Sequence, residues 1–202
     1  MPESRYARDS SDIDVRSQLI FTDDTVDALQ FVAALLDTVP LASESGADEL
    51  SEPAQLSRLL AAWKYSGRHD GDARELAEVR AARDRLRALW ALDRDAAVDE
   101  VNAILAQARA LPRLVRHDDE DWHIHATSPE APLAERILVE AAMAFVDVIR
   151  ADATERLRTC AADDCEGSFL DLSKNASRLY CSARCGNRVA ARAHRARAAD
   201  AG

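Results

Sequence analysis

The chain has 202 residues and a formal net charge of −10, with 48% hydrophobic, 31% charged and only 5% aromatic residues. That composition suits one ordinary soluble domain plus a small appendage, built on helices lined with Ala, Leu and Val. It excludes a membrane span, because the richest apolar run, Ile137 to Ile149, is broken by Glu140 and Asp147.

The first 25 residues mix Arg, Asp and Ser without the apolar core of a secretory leader, so a cytoplasmic location is expected. Thiols stay reduced there, and clustered cysteines hold metal more often than they pair. Charge is unevenly spread: from Arg156 to Gly202 nine Lys or Arg face five Asp or Glu, a net +4 that leaves −14 on the rest. Such asymmetry points to nucleic-acid contact through the C-terminal part, although four thiolates and a Zn²⁺ would together subtract two charges.

Residues 1–20 read as a polar arm. From Asp24, apolar residues Val26, Leu29, Val32, Leu36 and Val39 recur at helical spacing until Pro40. Ser51 with Pro53 opens a second helix, faced by Leu56, Leu59, Leu60 and Trp63 and closed by Gly67. Asp72 and Glu75 resemble a capping box for a third, whose face is Leu76, Val79, Leu86, Leu89 and Trp90. A fourth helix is predicted from about Ala96 to Leu111, with Val98, Val101, Ile104 and Leu105 inward and Pro112 ending it. Leu114-Val115 and Trp122 to His125 are β-prone runs around the acidic turn His117 to Asp121, which predicts a hairpin. A long apolar helix then runs from Leu133 to about Ala151.

All four cysteines follow, as Cys160-x4-Cys165-x15-Cys181-x3-Cys185. Two close pairs on separate turns supply the four thiolates a tetrahedral zinc ion takes, with no position left for water, so one structural Zn²⁺ is expected rather than a catalytic one. Between the pairs, Ser168 to Leu172 and Ser177 to Tyr180 alternate like strands around the turn Ser173 to Ala176, and a helix begins with the second pair. Knuckle, hairpin and helix in that order are the plan of a treble-clef module.

Cys185-Gly186-Asn187-Arg188 is the signature from which the CGNR zinc finger family takes its name, and Phe169, Asp171, Ser173, Asn175, Ser177, Arg178 and Tyr180 resemble that family's stretch before the third cysteine. The resemblance implies that the finger closes a mostly helical ABATE domain and that the chain serves stress-induced transcription regulation. It extends over about residues 20–200. At one N-terminal position the chain departs from the pattern: Gln30-Phe31-Val32-Ala33-Ala34 stands where the family usually has Asp, two apolar residues and Asn-Thr.

At 100° per residue Arg184, Arg188, Arg192 and Arg195 fall on one narrow helical stripe, a ridge of about 16 Å, while Val189, Ala193 and Ala196 form another face suited to lying on the module. Lys174 and Arg178 would extend the ridge toward DNA. The competing reading is a solvated Arg- and Ala-rich helix. Gly186 and Asn187 read as architectural, fixing the turn behind the fourth ligand. His123 and His125 share a strand face at a spacing metal sites use, but no third ligand lies near in sequence, and they read as exposed strand residues. Asp118, Asp119, Glu120 and Asp121 read as a solvated hairpin tip, and Trp63, Leu86 and Trp90 as helical core. No Gly-rich phosphate loop, nucleophile elbow or paired-His zinc motif occurs, so an enzyme is not expected.

The expectation is therefore a mainly α protein in three parts. An arm covers 1–20, a helical ABATE-like domain with one β-hairpin covers 21–154, and a treble-clef-like zinc module with a basic C-terminal helix covers 155–202. The expected function is DNA-binding transcriptional regulation. The alternative is a zinc-stabilised protein-interaction module that binds no nucleic acid, its ridge docking a partner or the acidic body. A homodimer and an unidentified small-molecule effector are further partners the helical domain could serve.

Overall fold

The computed structural model describes residues 21–116 and 122–200. The arm 1–20 and the hairpin tip 117–121 lie outside the described residues. The protein is mainly α. Its centre is α5 (Leu133–Arg150), flanked by α1 (Asp23–Leu36), α3 (Ala73–Trp90) and α4 (Arg94–Gln107), with α2 (Pro53–Ala62) laid on α3. Leu29, Leu35, Leu36, Val79, Leu86, Ile137 and Phe145 are among the residues it seals from water. Each residue of this kind contributes about 1.5–3 kcal/mol by burial. Trp90 and Leu86 are core as expected, and Trp63 packs partly buried against it.

Local chemistry sets where each helix starts. The Asp72 carboxylate accepts from the Glu75 backbone N–H at 2.8 Å, so α3 is capped as the sequence predicts. Glu75 does not reach back to Asp72; it accepts from the N–H groups of Asp70 (2.9 Å) and Gly71 (2.8 Å) and pairs with His69 Nδ1 at 2.7 Å. α2 starts at Pro53, with Glu52 as N-cap and the Gln55 side chain accepting from the N–H groups of Glu52 (2.9 Å) and Ser51 (2.6 Å).

Helix ends depart from the expectation. α1 stops at Leu36, short of Val39, where the Thr38 hydroxyl donates to the Leu35 carbonyl at 2.7 Å. α2, α4 and α5 each close with a non-glycine residue in the left-handed region: Lys64 (φ 51°), Arg109 (φ 50°) and Asp152 (φ 53°). The following N–H reaches back five residues each time, Tyr65 to Leu60, Ala110 to Leu105 and Ala153 to Val148, which is the Schellman closure. Gly67 is therefore not the stop of α2. It lies in the next turn at φ 86°, where a Cβ would come within 2.6 Å of Arg136 Nη1.

The predicted hairpin is present. β1 (Arg113–Val115) pairs antiparallel with β2 (His123–His125), placing Leu114 opposite Ile124 on the outer face. Within the cysteine region the strands differ from the reading. β4 (Ser168–Leu170) pairs with β3 (Leu157–Thr159), which precedes the first cysteine, and Ser177 to Tyr180 forms no strand. The cause is Asp171, whose fully buried carboxylate accepts from the N–H groups of Ser173 (2.9 Å) and Arg178 (2.8 Å). A side-chain acceptor thereby replaces the ladder that a second strand would need.

β4 also packs on α1. Leu170 belongs to the main hydrophobic cluster, Ser168 N donates to Asp37 at 2.6 Å, and Trp90 Nε1 donates to the Arg158 carbonyl at 3.2 Å. Among the described residues, no helix is long and apolar enough to cross a membrane.

Candidate metal centre and basic helix

The β3–β4 hairpin turns through a knuckle that holds Cys160 and Cys165, closed by Cys160 N donating to the Gly167 carbonyl at 2.7 Å. Cys181 lies in the bend before α6 (Ala183–Asp200), and Cys185 sits in the first turn of that helix. Ala161 N donates to the Leu179 carbonyl at 2.8 Å, joining the two halves. All four Sγ atoms lie within 4.8 Å of one another, with Cys165 to Cys181 at 3.7 Å and Cys181 to Cys185 at 3.6 Å. A tetrahedron with metal–sulfur bonds of about 2.3 Å has sulfur–sulfur edges of about 3.8 Å. The donor set therefore fits one four-coordinate ion.

Donors point at two of the four sulfurs. The Gly167 N–H lies 3.4 Å from Cys165 Sγ and the Arg188 guanidinium 3.4 Å from Cys185 Sγ. Burial pushes the Cys165 and Cys181 thiols up, whereas at Cys185 the burial effect is overcome by Ser182, the neighbouring thiols and Arg188, leaving that thiol below its ordinary value. A metal would have to displace protons from the first two, so its binding is pH-dependent.

Gly167 has a steric duty the sequence reading missed: a Cβ there would stand 3.0 Å from Cys181 Sγ and 3.3 Å from Cys165 Sγ. A glycine two residues past a knuckle cysteine was the available signal. Gly186 fits the architectural expectation, since a Cβ would meet the Tyr180 ring at 3.2 Å; Asn187 is exposed.

The six basic residues proposed for DNA divide into two groups. Arg184 and Arg195, with Lys174, are exposed. Arg188 donates to Asp164 at 3.0 Å, and Arg192 donates to the other oxygen of the same carboxylate. Asp164 is accordingly held below the usual carboxylate range: partial desolvation raises it, and the two guanidiniums outweigh that. Arg178 lies 5.0 Å over the Phe169 ring and donates to the carbonyls of Tyr180 (2.9 Å) and Cys181 (2.5 Å), so its present work is bracing the third ligand. Of the face expected to lie on the module, only Val189 does so; Ala193 and Ala196 are exposed, as is every residue from Ala190 to Ala199.

The strand histidines are half-buried rather than exposed, because the hairpin turns Leu114 and Ile124 outward instead. Their Nε2 atoms are 3.0 Å apart, and His125 Nδ1 is 3.4 Å from Glu140. Among the described residues, only the four cysteines group closely enough, three or more together, to hold a metal ion.

A helical domain closed by a four-cysteine knuckle and a basic helix defines the class: a helical protein with a module of the zinc-finger type. Residues 156–198 match the CGNR zinc finger, and residues 28–152 match ABATE, described as "Putative stress-induced transcription regulator". The chain belongs to the ABATE family and carries a CGNR zinc finger at its C-terminal side. No curated protein matches it.

Proposed function

We propose that the chain is a DNA-binding transcription regulator in which Cys160, Cys165, Cys181 and Cys185 hold one structural zinc ion and α6 presents the phosphate-contacting surface. Zinc fits the reading because four thiolates suit a borderline-soft ion, and a reducing compartment such as the cytoplasm keeps them available. Four protein sulfurs leave no coordination position for a substrate, so the metal serves structure rather than catalysis. One observation carries the DNA reading: from Ala190 to Ala199 α6 is exposed on all sides while carrying Arg192, Arg195 and Arg197. Arg184 adds a fourth exposed cation near the helix start.

The test is fluorescence anisotropy of the full-length, zinc-loaded chain on duplex DNA across about 50–200 mM salt. Four phosphate contacts give a log–log salt slope near about −4, at about −0.9 each. Replacing Arg184 and Arg195 with Ala together should weaken binding to all sequences alike and flatten the slope by about two units. Absence of binding at about 50 mM salt, or equal binding by a variant lacking Arg184, Arg188, Arg192 and Arg195, overturns the reading. The two guanidiniums on Asp164 favour the second reading, a module that docks acidic protein surfaces, and that outcome would leave it standing.

A further inference from the structure

A cavity of about 320 Å³ opens between α1, α5, the β2 strand and the segment that follows α2. That volume falls within the range of small-molecule sites. Aromatic rings form one wall: Phe31 stands edge-on to Trp63 with centroids 5.9 Å apart and is tilted against Tyr65 at 4.9 Å. The opposite wall is the face of α5 that carries Glu140 and Asp147, one helical repeat of seven residues apart.

The polar content has a sign. Among the described residues the lining carries four carboxylates, Asp24, Asp27, Glu140 and Asp147, and two cations, Lys64 and Arg150, with His125 Nδ1 3.4 Å from Glu140. Asp147 accepts from the Thr25 hydroxyl at 2.7 Å, which holds one carboxylate oxygen and fixes its orientation. The Tyr65 hydroxyl is buried beside the Glu140 carboxylate, to which it makes no hydrogen bond of good geometry. Burial first, and the Glu140 carboxylate second, push its ionisation well above the ordinary tyrosine value, so the hydroxyl stays protonated. A buried polar group of that kind costs about 1–3 kcal/mol unless something entering the cavity pairs with it. Aromatic rings combined with carboxylates form an environment that selects a protonated amine attached to an apolar body, through charge-assisted hydrogen bonds to the ammonium and burial of the body against the rings.

We propose that this cavity binds a small amphipathic amine, its ammonium group between Glu140, Asp147 and the Tyr65 hydroxyl and its apolar body against Phe31 and Trp63. The site is separate from the cysteine cluster and from α6, and it does not depend on DNA binding. Calorimetric titration of the full-length chain with tryptamine, phenethylamine and octylamine tests it, with indole-3-acetate and tryptophol as anionic and neutral counterparts of tryptamine. At least one amine should bind with Kd below about 1 mM, the counterparts at least about tenfold more weakly. Glu140→Gln should weaken the amine at least about tenfold with the circular dichroism spectrum retained; if that variant does not fold, Asp147→Asn carries the same comparison. No amine binding below about 1 mM, equal binding of the acid or alcohol, or unchanged affinity in folded Glu140→Gln and Asp147→Asn overturns the proposal.

Discussion

Gly167 stands where the backbone passes closest to two sulfurs, and a methyl group there has 3.0 Å to Cys181 Sγ. Gly167→Ala should therefore spread the thiolates and weaken metal, by tenfold or more if the loss is about 1.4 kcal/mol. Cobalt substitution gives the measurement, since the visible d–d bands of a tetrahedral tetrathiolate would shift and the competition constant would fall. Asp171 makes the opposite kind of contribution. Its carboxylate is held below its ordinary range: burial would raise it, but the N–H groups of Ser173 and Arg178 and the Arg158 guanidinium prevail. A depressed folded-state value adds stability that is fully present above the unfolded value of about 3.9 and is lost as pH falls through the folded one. Protection of the Ser173 and Arg178 amides, relative to their intrinsic exchange rates, should thus fall below about pH 4 in the parent. Asp171→Asn should show fast exchange already at neutral pH, with about 3 kcal/mol lost in the loop. At Asp164 the sign reverses again. Asp164→Asn releases Arg188 and Arg192 and removes a negative charge from the ridge, so DNA affinity should rise and the salt slope steepen by up to about one unit as Arg188 joins the four contacts.

Among the elements, helix existence was plain from apolar spacing, while helix ends were not. α2, α4 and α5 close on Lys64, Arg109 and Asp152 in the left-handed region, residues that carry none of the sequence signal glycine gives. The expected boundaries therefore ran on to Gly67 and Leu111, where the next strong punctuation stood. Because such a residue costs about 1 kcal/mol relative to glycine, Arg109→Gly should raise the melting temperature by a few degrees without touching DNA or metal affinity. The β4 pairing was illegible for a related reason: its partner β3 lies before the first cysteine, outside the segment that the cysteine spacing delimits. What did show in sequence was the cysteine cluster, because four soft donors at paired spacing follow the pattern that metal sites use.

For the molecule as a whole, β4 is the joint. Leu170, 6% exposed, is part of the core that α1 and α5 share, yet it is two residues from the Ser168 whose strand leads out of the knuckle. Leu170→Ala should cost about 2–5 kcal/mol and lower the melting of the helical signal as well as metal affinity. Chelation of the metal should likewise shift the whole thermal transition downward, in proportion to the logarithm of free metal, rather than melt the cysteine region alone. Calorimetry with and without a high-affinity chelator reads this directly. An unchanged main transition on metal removal would show the two regions to be energetically independent.

The Asp37–Ser168 hydrogen bond spans 131 positions of sequence. A ribosome delivering about 5–20 residues per second exposes α1 for several seconds before β4 exists to cover it. The nascent helical domain thus waits with an apolar seam open until β4, late in the chain, arrives to seal it. A chain made without metal would meet chaperones and proteases with that seam less firmly closed, so its abundance should follow the supply of metal during synthesis.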